Sequence, residues 1–217
     1  LMSALLFVPD TATKDSPAPA VVTSHGWYNN REMQDLNYVE LARRGYVVMS
    51  IDMYGHGNSD FLVNADLAIR ATGMTDAVEL IASLPYVDTT RIGVTGHSNG
   101  ARAANFAVDD DNLKDEPLIK AVLLVANDAT YADKDGNYLN KYGSRDVGIV
   151  AALYDEFFFR VKDANGVASP PKDYINQVTA QSFLNYGIDP AQGETREAYQ
   201  LYTQVIDGEE AIRVIYN

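Results

Sequence analysis

The chain has no cysteine. That excludes disulfides, thiolate zinc sites and a cysteine nucleophile, and leaves the cellular compartment open. It is short of positive charge, with 17 Lys and Arg against 30 Asp and Glu and a formal net charge of -13. Nucleic acid and an anionic membrane surface both select a basic footprint, so neither is expected as a partner. No apolar run approaches the ~18 residues of a membrane-spanning helix. The opening "LMSALLFVPD" is apolar but short, without a basic flank or a small-residue cleavage site, and reads as a strand and not a signal peptide. Histidine is scarce too: His25, His56 and His97 are the only three. His, Asp and Glu show no metal-ligand spacing, so no metal or cofactor is expected.

What is present, in 217 residues with 47% hydrophobic content, suffices for one domain, or one domain with an insertion. Strand-like and helix-like runs alternate. "SALLFVP" (3–9), "AVVTSHG" (20–26), "YVVMSID" (46–52), "TRIGVTG" (90–96) and "LIKAVLLVAN" (118–127) read as strands, several of them continuously apolar. "NREMQDLNYVELARRG" (30–45) reads as a helix with Met33, Leu36, Val39 and Leu41 on its apolar face and a glycine stop at Gly45. The stretch 64–85 reads as helical up to Pro85, with a break at Gly73, and "SNGARAANFAV" (98–108) as a small-residue helix. Strand–helix alternation of this kind predicts an α/β fold, a mostly parallel sheet flanked by helices.

After Asn127 the rhythm breaks. Residues 128–207 show polar turns, aromatic runs and amphipathic stretches, read here as a mainly helical, cap-like insertion between a core of 1–127 and a return to the sheet at 208–217. The aromatics Tyr131, Tyr154 and Phe157, Phe158 and Phe159 are read as core packing of that cap, with a substrate-pocket lining as the alternative.

Three glycine-rich turns follow predicted strands: "SHGWYNN", "DMYGHGNSD" and "GHSNG". In an open parallel sheet the turns at the carboxyl ends of the strands gather at one edge, where ligands bind. The third turn is a G-x-S-x-G motif in a strand–turn–helix context, Gly96-His97-Ser98-Asn99-Gly100. Glycines two before and two after the serine permit a tight turn that exposes its hydroxyl at a helix N-terminus, where main-chain N–H groups stabilise an oxyanion.

With these three turns the chain resembles the α/β-hydrolase superfamily over essentially all of 1–217. "SHGW" is similar to the family's oxyanion turn, "DMYGHGNSD" to its D-x-x-G-x-G-x-S turn, and "RIGVTGHSNG" to its nucleophile elbow. The resemblance implies Ser98 as nucleophile and the N–H groups of Trp27 and Asn99 as the oxyanion hole. His25, Gly26, His56 and His97 would shape the site, with the Trp27 side chain a wall of the acyl pocket. It also implies a carboxylate after one of two late strands. Asp128, at the end of "VLLVAN", is the in-chain candidate with the right context; capping of a following helix is its alternative role. In this family the histidine base follows the acid, and no histidine follows Ser98. The expectation is therefore that the base, with a last strand and helix, lies beyond Asn217, and that the chain, starting at Leu1 and stopping in a strand, is part of a longer protein.

The function so implied is a serine hydrolase of small-molecule esters or similar acyl bonds, without a cofactor. No propeller-like pattern accompanies the motifs, which favours an esterase over a peptidase. Serine at the elbow disfavours epoxide hydrolase and dehalogenase chemistry. A non-catalytic α/β-hydrolase-like binding or scaffold protein is the alternative, resting on the absent histidine. A third arrangement has a second copy supplying the missing segment by pairing at an exposed sheet edge, 209–217.

Overall fold

The computed structural model describes residues 1–62, 72–157, 159 and 169–217. The chain divides into two compact units, Leu1–Val122 and Leu123–Asn217.

In the first unit, β1 (Ala4–Phe7), β2 (Ala18–Ser24), β3 (Val47–Ile51), β4 (Val87–His97) and the start of β5 (Ile119–Val125) lie in the order β1-β3-β2-β4-β5. β2 runs parallel to both β3 and β4, with Val22 facing Met49 on one side and Val94 on the other. The edge strand β1 is antiparallel to β3. Every residue of β3, "VVMSI", is buried, as a strand covered on both faces requires. Val22, Val47, Val48, Ile51 and Ile92 are fully buried, each stabilising the fold by about 1.5–3 kcal/mol.

Among the described residues, three α-helices flank these strands. The stretch expected to be helical from residue 30 begins instead as a 3₁₀ turn, Arg31–Gln34, whose first turn is capped by the Asn30 side chain accepting the Glu32 N–H at 2.9 Å. α1 (Asp35–Arg43) follows, and the chain leaves it through Gly45 at φ 89°. The buried side of this stretch is Gln34 and Tyr38, not the expected Met33 and Leu36, which are exposed. Tyr38 stacks on Phe7 of β1 with centroids 4.4 Å apart, and that contact sets the helix rotation. α2 (Met74–Ala82) starts at Gly73 (φ 89°) and buries Met74, Ala77, Val78 and Ile81, the i, i+3, i+4, i+7 spacing of one helix face. The earlier part of the expected helix, 64–71, lies outside the described residues. α3 (Asn99–Asp111) buries Gly100, Ala101, Ala103, Ala104 and Ala107 against β4 and β2. Its small side chains allow that close approach.

In the second unit, β6 (Asp146–Val150) pairs parallel with β8 (Glu209–Tyr216), which pairs antiparallel with β7 (Tyr202–Ile206). The β7–β8 hairpin turns on Asp207 and Gly208, both at positive φ (52° and 86°), as a two-residue hairpin loop demands. α4 (Val178–Leu184) follows a 3₁₀ stretch, Pro171–Asn176, and packs on β8. Arg213 of β8 is fully buried, and among the described residues no carboxylate is hydrogen-bonded to it. Its guanidinium donates to the carbonyls of Arg145 and Gly143 and to Asn140 Oδ1, and lies 4.7 Å from the Tyr186 ring centroid. It ties the 140–145 loop to the sheet.

The mainly helical reading of 128–207 is corrected by β6 and β7, which both lie inside it. Among its described residues the α-helix is limited to the seven of α4. β6 buries Val147, Gly148 and Ile149 in a run too short to show a period. β7 is an edge strand with Thr203, Gln204 and Val205 exposed, so it lacks the apolar continuity of a buried strand. Of the aromatics assigned to a cap, Phe159 is buried against Tyr174 (4.5 Å), while Tyr154 and Phe157 are exposed; Phe158 lies outside the described residues.

Candidate functional site

β4 ends at His97 and α3 begins at Asn99, so the turn between strand and helix is Ser98 alone. Ser98 has φ 56° and ψ -114°, a conformation that costs a residue with a side chain of order 1–3 kcal/mol. Its carbonyl already accepts the Arg102 N–H at 3.1 Å, the first bond of the helix. The flanking glycines are fixed by contact. A β-carbon on Gly96 would stand 2.6 Å from the Gly100 carbonyl oxygen, and one on Gly100 would stand 2.7 Å from the His25 carbonyl oxygen. Strand, helix and the β2 turn therefore meet main chain to main chain around the serine. His97 is exposed and Ser98 half-buried.

The turn after β2 is held by His25, which is fully buried. Its Nε2 accepts the Met53 N–H at 3.1 Å. The proton of the neutral ring is then on Nδ1, which donates to the Gly26 carbonyl at 2.7 Å. Burial, aided by the nearby His56, holds its pKa below the usual histidine range. His25 is thus a neutral tie between the β2 and β3 turns. Gly26 abuts the elbow: a β-carbon there would meet His97 Nδ1 at 3.1 Å. The next residue, Trp27, is half exposed and meets the His56 ring edge-on, centroids 5.1 Å apart.

The turn after β3 is built on Asp52, whose side chain is buried. Its carboxylate accepts the Arg31 N–H and Nη1 at 2.7 Å each and the Asn58 N–H at 2.9 Å. Gly57 (φ 51°) passes so close that a β-carbon would lie 2.5 Å from Asp52 Oδ1. Ser59 Oγ donates to the Asp52 carbonyl and accepts the Ser3 N–H, both at 2.8 Å. The D-x-x-G-x-G-x-S pattern thus describes a carboxylate wrapped by its own turn. Arg31, its partner 21 residues upstream, was missed in the sequence, where only the unpaired Asp of the motif signalled it.

These turns enclose a pocket of about 310 Å³, with Trp27 and Asn99 both in its lining. The structure thus brings the two residues expected to form the oxyanion hole to one cavity, which reaches Asn99, the residue after Ser98, and His56 lines it too. No group of three or more His, Asp or Glu residues is arranged to hold a metal among the described residues.

Asp128 belongs to the second unit. It follows β5 through Ala126, at φ 52°. No helix begins there to be capped. Its carboxylate accepts the Ala129 N–H at 2.8 Å and the hydroxyl of Tyr174. Burial pushes the carboxyl up to about 6, against those hydrogen bonds. A second carboxylate was not anticipated: Asp155 lies five residues past β6, half-buried, with Oδ1 accepting the Phe157 N–H at 2.7 Å. Recognising β6 as a strand was the signal that would have found it.

A family model described as X-Pro dipeptidyl-peptidase (S15 family) matches residues 1–143, a range that contains all three turns. The uncharacterized protein YcjY of Escherichia coli strain K12 is 30% identical over 127 residues, which are 56% of this chain and 41% of YcjY. The chain thus spans less than half the length of that relative. Among solved structures, Est1E of Butyrivibrio proteoclasticus, determined with ferulic acid bound, superposes with a TM-score of 0.53 at 19% identity, covering 72% of this chain and 77% of Est1E. That likeness is one of fold.

Proposed function

The chain belongs to the X-Pro dipeptidyl-peptidase (S15) family, a family of α/β-hydrolases, and from that premise we propose that it is a serine hydrolase cleaving an ester or similar acyl bond through Ser98. Ser98 Oγ attacks the carbonyl carbon. The N–H groups of Asn99 and Trp27 receive the oxyanion of the tetrahedral intermediate. A histidine takes the serine proton and passes it to the leaving group, and water then releases the acyl group from Ser98.

The observation that carries this reading is the conformation of Ser98 between two glycines, at each of which a β-carbon would stand 2.3 Å from main chain. A plain strand-to-helix turn has no need of such packing.

None of the three histidines is the base. His25 has both ring nitrogens engaged by main chain. His97 is exposed and adjoins the serine on the strand side, and His56 lies in the β3 turn against Trp27. On this reading the base is a histidine other than these three. For the carboxylate, Asp128 is the position the superfamily resemblance implies, and Asp155 is the one β6 adds. A triad carboxylate works ionised. The Asp128 carboxylate is buried and already accepts the Tyr174 hydroxyl and the Ala129 N–H, so Asp155 is preferred for the role.

The test is a fluorophosphonate probe applied to this chain and to the protein's longest natural form, with the adduct mapped by mass spectrometry. Labelling of Ser98 in the longer form, abolished by Ser98→Ala, is expected. Folded protein that takes up no probe in either form would leave a non-catalytic binding protein. Parallel assays with a p-nitrophenyl ester and an X-Pro p-nitroanilide decide between ester and amide substrates.

A further inference from the structure

We propose that the pocket reaching Asn99 is an aryl-binding site, so that the substrate carries a single aromatic ring next to its scissile carbonyl. This rests on the serine hydrolase reading for the chemistry, but the binding itself does not.

The pocket's volume, about 310 Å³, is at the small end of the range for small-molecule sites. It suits a one-ring group, not a long acyl chain. Half of its lining residues are rings, Trp27, Tyr28, Tyr54, His56 and Phe61, with Met53 and Arg102 beside them. Trp27 holds Tyr28 edge-on at 5.4 Å and His56 edge-on at 5.1 Å. Edge-on ring pairs of this kind are an environment in which an aryl group gains more than an alkyl group of equal area.

The walls are built in place. The Tyr54 hydroxyl donates to Asp76 Oδ2 on α2 at 2.9 Å. Gly55 brings the chain against Phe61, whose ring would lie 3.4 Å from a β-carbon there. The Asp52–Arg31 pair fixes the turn that carries both. Yet Tyr28 and Phe61 are more than four-fifths exposed and Trp27 more than half. Three large aromatics on one cavity rim, left in water, mark a surface that a ligand covers. Asn99, the residue after Ser98, is in the lining, and a carbonyl attached to the ring is proposed to lie there.

Trp27 is the single tryptophan of the chain, so fluorescence excited selectively at tryptophan, away from the tyrosine absorption, reports on this pocket. The experiment is a fluorescence titration of the 217-residue chain with benzamide and phenylacetamide, and with butyramide and hexanamide as alkyl probes. Saturable change with the aryl amides, about threefold to tenfold tighter than with the alkyl amides, is expected. Phe61→Ala should weaken aryl binding; because Phe61 is exposed, its loss leaves the fold intact, as circular dichroism would verify. Ser98→Ala should bind unchanged. Equal or tighter alkyl binding, or no saturable change with any probe, would overturn the proposal. If aryl amides bind but fluorophosphonate does not label Ser98, the hydrolase reading fails and the aryl site stands. If Ser98 is labelled but aryl amides do not bind, the aryl site alone fails.

Discussion

A β-carbon on Gly100 would stand 2.7 Å from the carbonyl carbon of Ser24, closer than any real side chain approaches main chain. The first turn of α3 and the end of β2 are therefore in direct contact, and the elbow exists only while residue 100 has no side chain. Gly100→Ala and Gly96→Ala should each cost about 3 kcal/mol or more, because neither neighbour is a flexible side chain that can retreat. Gly93, in the same strand, is the control: its β-carbon would meet Ala121 at ordinary distances of 3.6–3.7 Å. Gly93→Ala should change stability by no more than about 1 kcal/mol. Urea denaturation of the three variants checks this, and a Gly100→Ala protein as stable as the parent would contradict the packing described.

The Arg31–Asp52 pair should behave as a buried ion pair, with side chains only 17% and 1% exposed. Asp52→Ala removes the acceptor of three N–H groups and leaves a guanidinium without its counter-charge. The expected cost is about 3–5 kcal/mol, read from the thermal or denaturant midpoint. A loss below about 1 kcal/mol, typical of a surface pair, would show that water reaches the site.

Asp128 should impose a pH dependence of defined sign. Its carboxyl is at about 6 when folded, against ~3.9 in the unfolded chain. Between those values the native state binds more protons, so stability falls as pH rises through the window, and the loss is complete above about pH 6. The contribution is at most about 3 kcal/mol. Denaturant midpoints at pH 4, 5, 6 and 7 should decline less in Asp128→Asn than in the parent. Parallel profiles would show that the carboxyl is not held up by burial.

The same substitution separates the two candidate acids. In the protein's longest natural form, Asp155→Asn should lower ester turnover by about 10³–10⁴-fold, the scale of losing a triad carboxylate. Asp128→Asn should stay within about tenfold of the parent once both are folded, a loss of at most ~1.4 kcal/mol in the barrier. The reverse ranking would return the role to Asp128.

The first unit was legible in sequence because its signals are redundant. β3 is apolar at nearly every position, and each of three strands hands over to a turn whose glycines are demanded by contact. The motif at Ser98 carried the local conformation with it, since G-x-S-x-G between strand and helix leaves few other ways to pass the chain. The second unit gave no such signal. "DVGIV" is only five residues long, flanked by Arg145 and carrying Gly148, and nothing local distinguishes it from a turn. Its identity as a strand comes from pairing with β8, more than sixty residues later. "YTQVI" follows "TREAYQL" and imitates a helical period because one edge strand in a hairpin buries little. Asp155 was hidden for the same reason: a carboxylate after an unrecognised strand looks like any surface acid. The rotation of α1 was equally out of reach, for it depends on Tyr38 meeting Phe7 across thirty residues of chain.

The backbone at Ser98 sets stability and reactivity against each other at a single residue. Its φ of 56° and ψ of -114° are open to glycine and unfavourable to anything larger. Ser98→Gly should therefore be more stable than the parent, by about 1–3 kcal/mol, while losing the only hydroxyl at the turn. Ser98→Ala, which keeps the β-carbon, should gain far less. Comparing the unfolding midpoints of these two variants weighs what the fold gives up to keep an oxygen atom at the tip of the elbow.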